Sequence, residues 1–285
     1  MSLEPRERIL SDERERMMGT AASRLAIKKV ASSFGLEIMT REGRRNIDRE
    51  YQGVIGEYLG LLCDKRGITL APNAQRVAMM SNLVGTKVGE ASHILACLAA
   101  TRDVAGDVCE CGVGSGATSA LLANELRDTG KRLWLYDTFN GLPAPSKEDL
   151  LIDDIDNLGS MAAYQGRMSH PRTEVESRLA VIGIPSSAIR IVPGLFEDSV
   201  AAGALPERVS FAYVDFDFYA PIKLALEVLS DRLSPGGNII VDDYGFFSEG
   251  AQTAVDNYLT EHPGRFDLEV PSYCRDRFAI LKRKG

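Results

Sequence analysis

Residues 107–118 read Asp107-Val108-Cys109-Glu110-Cys111-Gly112-Val113-Gly114-Ser115-Gly116-Ala117-Thr118. A short apolar strand ends in Glu110, a turn follows with glycine at 112, 114 and 116, and Ala117 to Arg127 has the pattern of a helix. Alternate glycines remove the Cβ atoms that would keep a ligand off the backbone, and they accept positive φ at no steric cost. The N-terminus of the helix points free N–H groups at whatever sits in the turn. The spacing is ExGxGxG, whereas dinucleotide sites carry GxGxxG. An acid before the first glycine suits a nucleoside ligand with a cationic amino acid end, which describes S-adenosylmethionine (SAM). A tight strand–helix turn with no ligand is the plain alternative.

Working outward, Arg132-Leu-Trp-Leu-Tyr136 is a second strand, closed by Asp137 some 27 residues after Glu110. In nucleotide-binding α/β folds an acid at that point accepts hydrogen bonds from ribose hydroxyls; its other reading is a helix N-cap. A long polar insertion runs to about residue 170, with Glu148, Asp149, Asp153, Asp154 and Asp156 crowded in it. Such a run reads as a solvated face, and the insertion stands where a lid over a ligand would sit. A helix is expected over Thr173 to Ile182. Further strands are Ile189–Val192, Val209–Val214 and Asn238–Val241, with a helix at Pro221–Leu233 whose apolar residues recur at core-facing spacing. Alternating strands and helices through 107–245 predict a doubly wound, mostly parallel α/β sheet. Two strands near 266–271 and 277–283 are expected as an antiparallel edge.

Five acids fall at strand ends or just beyond them: Asp137, Asp215, Asp217, Asp242 and Asp243. Ligands of open α/β sheets bind outside the carboxyl ends of the strands. Asp215 and Asp217 are two apart and share a face if extended. Asp242 and Asp243 reach one site only if the chain turns there, which Tyr244-Gly245 permits. Converging carboxylates without a counter-charge repel and raise one another's pKa. The simplest relief is Mg²⁺ or another hard divalent cation; capping and loop hydrogen bonds are the alternative. A divalent cation suits methyl transfer to a hydroxyl, because it can hold vicinal oxygens and lower the pKa of one.

The chain has 285 residues, 45% hydrophobic and 26% charged, with a net charge of −7. These values fit a globular protein and argue against a nucleic-acid surface, which needs clustered Lys and Arg. No apolar run is long enough to span a membrane, and the Glu- and Arg-rich N-terminus does not look like a signal peptide. Five cysteines without CxxC spacing predict reduced thiols and a cytoplasmic location. The three histidines do not cluster with them, so zinc is not expected. Ile9, Met17, Ala21, Leu25 and Val30 form an amphipathic stripe for packing on the domain or a second subunit. Helices are expected at Arg49–Cys63 and within Asn73–Ala100, so residues 1–104 read as a helical cap on the domain 105–285.

With these residues in hand, the chain resembles the macrocin O-methyltransferase (TylF-like) family, SAM- and Mg²⁺-dependent enzymes that methylate sugar hydroxyls of macrolides and related natural products. The matching pieces are Glu110-Cys-Gly-Val-Gly-Ser-Gly-Ala, Asp137-Thr-Phe-Asn-Gly-Leu-Pro, Pro193-Gly-Leu-Phe-Glu-Asp, Asp215-Phe-Asp-Phe-Tyr and Pro235-Gly-Gly-Asn-Ile-Ile-Val-Asp-Asp-Tyr-Gly. The resemblance implies the seven-stranded sheet of SAM-dependent methyltransferases. It implies Asp215, Asp242 and Asp243 as metal ligands and Asp217 as general base. It implies cofactor contacts from Glu110, Gly112, Gly114, Gly116, Thr118, Asp137, Thr138, Phe139, Phe196 and Asp215. The acceptor would be a small sugar or polyol, on a secondary metabolite or a glycan, and the helical cap would help form a homo-oligomer. The chain departs from the family at Phe216, where glycine is usual, at Leu195, where tryptophan is frequent, and at Gly114-Ser115-Gly116, where Trp-Arg-Gly is frequent. Two other expectations stay open: a catechol-type O-methyltransferase acting on an aromatic diol, and a non-catalytic SAM-binding assembly protein.

Overall fold

A computed structural model describes residues 25–30, 32–33, 41–272 and 278–284. The chain divides into two compact units, Met1–Tyr51 and Gln52–Gly285. In the first, residues 25–30 and 32–33 are helical and exposed. Leu25 and Val30 of the amphipathic stripe are exposed there; Ile9, Met17 and Ala21 lie outside the described residues. Helix α1 (Arg41–Lys65) begins in this unit and ends in the next.

The second unit continues with α2 (Arg76–Met80), α3 (Val88–Ala100), β1 (Asp107–Cys111), α4 (Ala117–Leu126) and β2 (Leu133–Asp137). Helix α5 (Arg172–Ala180), β3 (Ile189–Pro193), α6 (Phe196–Ala201), β4 (Val209–Val214) and α7 (Tyr219–Arg232) follow. The chain closes with β5 (Leu233–Val241), α8 (Glu249–Glu261), β6 (Phe266–Glu269) and β7 (Ala279–Arg283). The seven strands lie in the order β3-β2-β1-β4-β5-β7-β6. The first five are parallel, while β7 runs antiparallel to β5 and to β6. The doubly wound sheet and its antiparallel edge are therefore both present.

Strand residues alternate between faces, and the alternation separates two cores. Ala212, Val214, Ile239 and Val241 pack with Ile222, Leu226 and Leu229 of α7 and Ala254, Val255 and Tyr258 of α8. Val108, Leu133, Leu135, Phe211 and Tyr213 pack on the other side with Ile94, Cys97 and Leu98 of α3 and Leu122 of α4. Strands covered on both faces read as near-continuous apolar runs, as β4 does: all six of its residues are buried. The burial of α3 against this face of the sheet, over β4 and β5, gives a reason why the compact unit begins well before residue 105. Ile55, Leu59 and Cys63 of α1 add a third cluster with Met80, Leu95 and Leu121.

Strand β5 starts earlier than its sequence suggests. Val209 pairs with Leu233, then the register jumps so that Phe211 pairs with Asn238. Ser234–Gly237 thus form an irregularity inside the strand. The described cysteines, Cys63, Cys97, Cys109 and Cys111, are free and buried. Among the described residues no helix is long and apolar enough to cross a membrane.

Candidate active site

The carboxyl ends of β1, β2, β4 and β5 open onto one cavity of about 660 Å³. It is bounded by the glycine turn, by Thr138, Leu142 and Pro143 after β2, by Gly194–Glu197 after β3, by Asp215–Asp217 and by Asp242 and Asp243. Val84, Gly85 and Thr86, between α2 and α3, close one side.

The three glycines of the turn have different duties. All have positive φ. A Cβ on Gly112 would lie 1.8 Å from the carbonyl oxygen of Asp215, and one on Gly116 would press on Val175 at 3.1 Å. Only Gly114 of the three has nothing within 4 Å of that position. So Gly112 makes room for the loop bearing Asp215, Gly116 lets α5 close on α4, and Gly114 lies at the open cavity wall.

Asp137 organises this turn. Its Oδ2 accepts from the N–H groups of Val113 at 2.7 Å and Gly114 at 3.0 Å, and its Oδ1 from Phe139 N at 2.6 Å. Part of the N–H array expected to face a ligand is thus already engaged. Thr138 lines the cavity and donates to Gly141 O at 2.9 Å. Phe139 has φ 55° and packs against the β1–β2 core beside the cavity instead of lining it. Phe196 lines the cavity, its ring 5.1 Å from Tyr136 edge-on and 5.5 Å from Phe216. Thr118 Oγ1 meets Thr86 Oγ1 at 2.6 Å, tying α4 to the 84–86 segment.

Glu110 is 1% exposed and lines the cavity. Its Oε2 accepts from Ser119 Oγ, while Oε1 has no partner. Burial pushes its carboxyl up to about 8, the Ser119 hydrogen bond opposes that shift and the Asp137 charge adds to it. A buried acceptor left open is costly, and a cationic group in the cavity relieves it. The open wall at Gly114 and this unpartnered carboxylate oxygen both fit the amino acid end of SAM.

The four later aspartates all line the cavity, brought there by turns and not by extended geometry. Phe218 N donates to Phe216 O at 2.6 Å and Asp217 has φ 62°, a γ-turn arrangement. Asp243 has φ 57°, its N–H donates to Asp242 Oδ1 at 2.9 Å, and its carbonyl accepts from Phe246 N at 3.1 Å. Non-glycine residues pay for left-handed φ, and such strain gathers at functional sites. Carboxylate oxygens of Asp215, Asp217 and Asp243 lie within 4.8 Å of one another. Asp242 stands behind them, bonded through Oδ2 to Tyr213 and through Oδ1 to the Asp243 N–H.

Burial, then mutual repulsion, holds the carboxyls of Asp215, Asp217 and Asp243 well above the usual carboxylate range. Asp242 is raised to about 6, by burial and then by Glu90. An all-oxygen donor set short of positive charge fits a hard divalent cation. Asp215, Asp217 and Asp243 would hold one directly, with Asp242 beside them on the same cavity wall.

The insertion is built, not loose. Asp149 is 3% exposed. It accepts from Ser146 N at 2.7 Å, Ser146 Oγ at 2.7 Å, Tyr219 N at 2.7 Å and Ser248 Oγ at 3.2 Å. Asp154 accepts from Tyr164 Oη at 2.6 Å and from Leu158 N at 2.8 Å. Only part of the acid run is therefore a solvated face; Asp153 and Asp156 are exposed. Met161, Tyr164, Phe218 and Phe247 form a small core beneath the insertion.

Sequence reasoning missed Tyr213, Ser119, Thr86, His170 and Phe246. Tyr213 lies two residues before Asp215 on the same strand face, a spacing that could have exposed it. Phe246 follows Asp243 in the same turn, whereas Thr86 and His170 reach the cavity from distant loops, for which local patterns give no signal.

Comparison with known proteins accords with this geometry. The family described as Macrocin-O-methyltransferase (TylF) matches residues 77–270. The 8-demethyl-8-(2,3-dimethoxy-alpha-L-rhamnosyl)-tetracenomycin-C 4'-O-methyltransferase of Streptomyces olivaceus is 32% identical over 171 residues, 59% of this chain and 62% of that protein. The mycinamicin III 3''-O-methyltransferase of Micromonospora griseorubida is 32% identical over 171 residues, 57% of this chain and 64% of that one. The match thus spans less than two thirds of either relative's length. The solved structure of the O-methyltransferase NovP superposes with a TM-score of 0.61 at 19% identity, over 84% of this chain and 100% of that chain, and shows the same fold. With the family profile covering well over half its length, the chain belongs to the TylF macrocin-O-methyltransferase family.

Proposed function

We propose that this protein is a SAM-dependent, divalent-cation-dependent O-methyltransferase acting on a hydroxyl of a sugar or polyol. One observation carries the reading: the carboxylates of Asp215, Asp217 and Asp243 share a cavity with the unpartnered Oε1 of Glu110. When bound, SAM supplies an electrophilic methyl group and Mg²⁺ a Lewis acid that makes an acceptor hydroxyl easier to deprotonate.

The residues of the chain divide the remaining work. Glu110 holds the ammonium end of the donor, and Gly114 lets it approach the backbone. Asp137, which fixes the turn, stands where ribose hydroxyls are bound in related folds. Thr138 and Phe196 complete that wall. Asp215, Asp242 and Asp243 hold the cation. Asp217 accepts the hydroxyl proton, a role for which its strained, fixed turn at the edge of the carboxylate cluster suits it. Fixing donor and acceptor in one cavity supplies the entropic part of the acceleration.

No Lys or Arg occurs among the described residues lining the cavity. Val84, Ile155, Met168 and Leu195 on its wall are exposed and apolar. These features favour an uncharged glycoside with an apolar body over a phosphate-bearing sugar. The first relative's name likewise specifies a rhamnosyl-bearing substrate. The test is mass-spectrometric detection of methyl transfer from SAM to a panel of glycosides. Transfer should stop in EDTA and return on adding Mg²⁺; transfer undiminished by EDTA would refute the cation's part.

A further inference from the structure

Tyr213 is 1% exposed and does not line the cavity. It lies on β4 two residues before Asp215, so the two side chains leave the same face of the sheet. The β4–β5 register pairs Val214 with Val241, and Asp242 N donates to Val214 O at 2.8 Å. Asp242 therefore stands beside Asp215 at the end of the neighbouring strand. Two residues of strand advance about 6.6 Å, a span that a tyrosine side chain laid along the face covers. Its hydroxyl accordingly arrives at both acids, donating to Asp242 Oδ2 and lying 3.3 Å from Asp215 Oδ2.

A buried tyrosine hydroxyl needs a polar partner, and here both partners are site carboxylates. The phenol engages the Oδ2 atom of each. Asp242 Oδ1 is held by the Asp243 N–H, so both oxygens of Asp242 are fixed from behind the cavity. Asp215 and Asp242 sit on separate strands and repel each other; a neutral donor between them sets their spacing without adding charge. Resting on the cation-site reading above, we propose that Tyr213 is a positioning residue: its hydroxyl links Asp215 to Asp242 and presets them for a divalent cation.

The experiment measures Mn²⁺ binding by electron paramagnetic resonance on the full chain, comparing wild type, Tyr213→Phe and Phe211→Leu. Phe211 is buried in the same core two residues earlier and controls for loosened packing. Loss of a group that orients metal ligands costs about 10–100-fold in metal affinity. Tyr213→Phe should show that loss while S-adenosylhomocysteine binding stays within about twofold, and kcat should fall more than KM rises. Phe211→Leu should lower the melting temperature and leave Mn²⁺ affinity unchanged. Unchanged Mn²⁺ affinity in Tyr213→Phe, or an equal loss in Phe211→Leu, would overturn the assignment. If Tyr213→Phe does not fold, Mg²⁺ titration of the wild type should produce a tyrosine difference absorption, and its absence overturns the assignment. Wild type that binds no Mn²⁺ removes the cation site itself, which separates that failure from failure of Tyr213 alone.

Discussion

A methyl group at Gly112 would meet the carbonyl of Asp215, whereas one at Gly114 would meet nothing. The neighbouring Glu110 is as specialised. It is the last acid before the turn, fully buried, with one oxygen bonded and one open. With its carboxyl pushed up to about 8 by burial, the empty site holds it largely protonated at neutral pH. An ammonium group binds the ionised form, so ligand binding expels a proton below about pH 8. S-Adenosylhomocysteine affinity should therefore rise between pH 6 and pH 8, by up to about tenfold per pH unit. Calorimetry across that range checks the slope. Glu110→Gln should bind more weakly and lose the slope; a pH-independent wild-type affinity would contradict the role given to Glu110. The acids at 110, 137, 215, 217, 242 and 243 were legible in the sequence because each stands at or just beyond the end of a strand. What they bond to was not: Asp137 reads as a ribose ligand or helix cap, yet it also binds three backbone N–H groups of its own site.

The insertion between β2 and α5 shows the same limit over a longer stretch. Its composition reads as solvated, and its position as a lid. Asp149 alters that picture, because it joins Ser146 of the insertion to the starts of α7 and α8. A Cβ at Gly250 would lie 1.9 Å from Asp149 Oδ1, so the second residue of α8 is the one that permits this contact. Asp149→Ala would leave several buried donors unsatisfied and should cost about 2–4 kcal/mol. Urea denaturation measures this, and a loss under about 0.5 kcal/mol would return Asp149 to the solvated face. The parallel strands were readable from their apolar runs, and α4, α5 and α7 from the pattern of their residues, whereas the short α6 was not. The β4–β5 irregularity at Ser234–Gly237 was not, because Pro235-Gly236-Gly237 reads as a helix stop and its pairing with β4 depends on tertiary register.

Across the second unit, the sheet brings two half-sites together. The glycine turn after β1 offers an open wall and a buried carboxylate to the methyl donor. The ends of β4 and β5, next to β1 in the order β3-β2-β1-β4-β5, carry the acids for a cation and an acceptor hydroxyl. Neither half explains the other's chemistry, and the fold accounts for their adjacency. Calorimetric titration of S-adenosylhomocysteine into the full chain, with and without Mg²⁺, tests this most directly. The account predicts one site per chain with micromolar affinity, retained without Mg²⁺ because donor and cation occupy separate halves. Absence of binding up to millimolar ligand would contradict it.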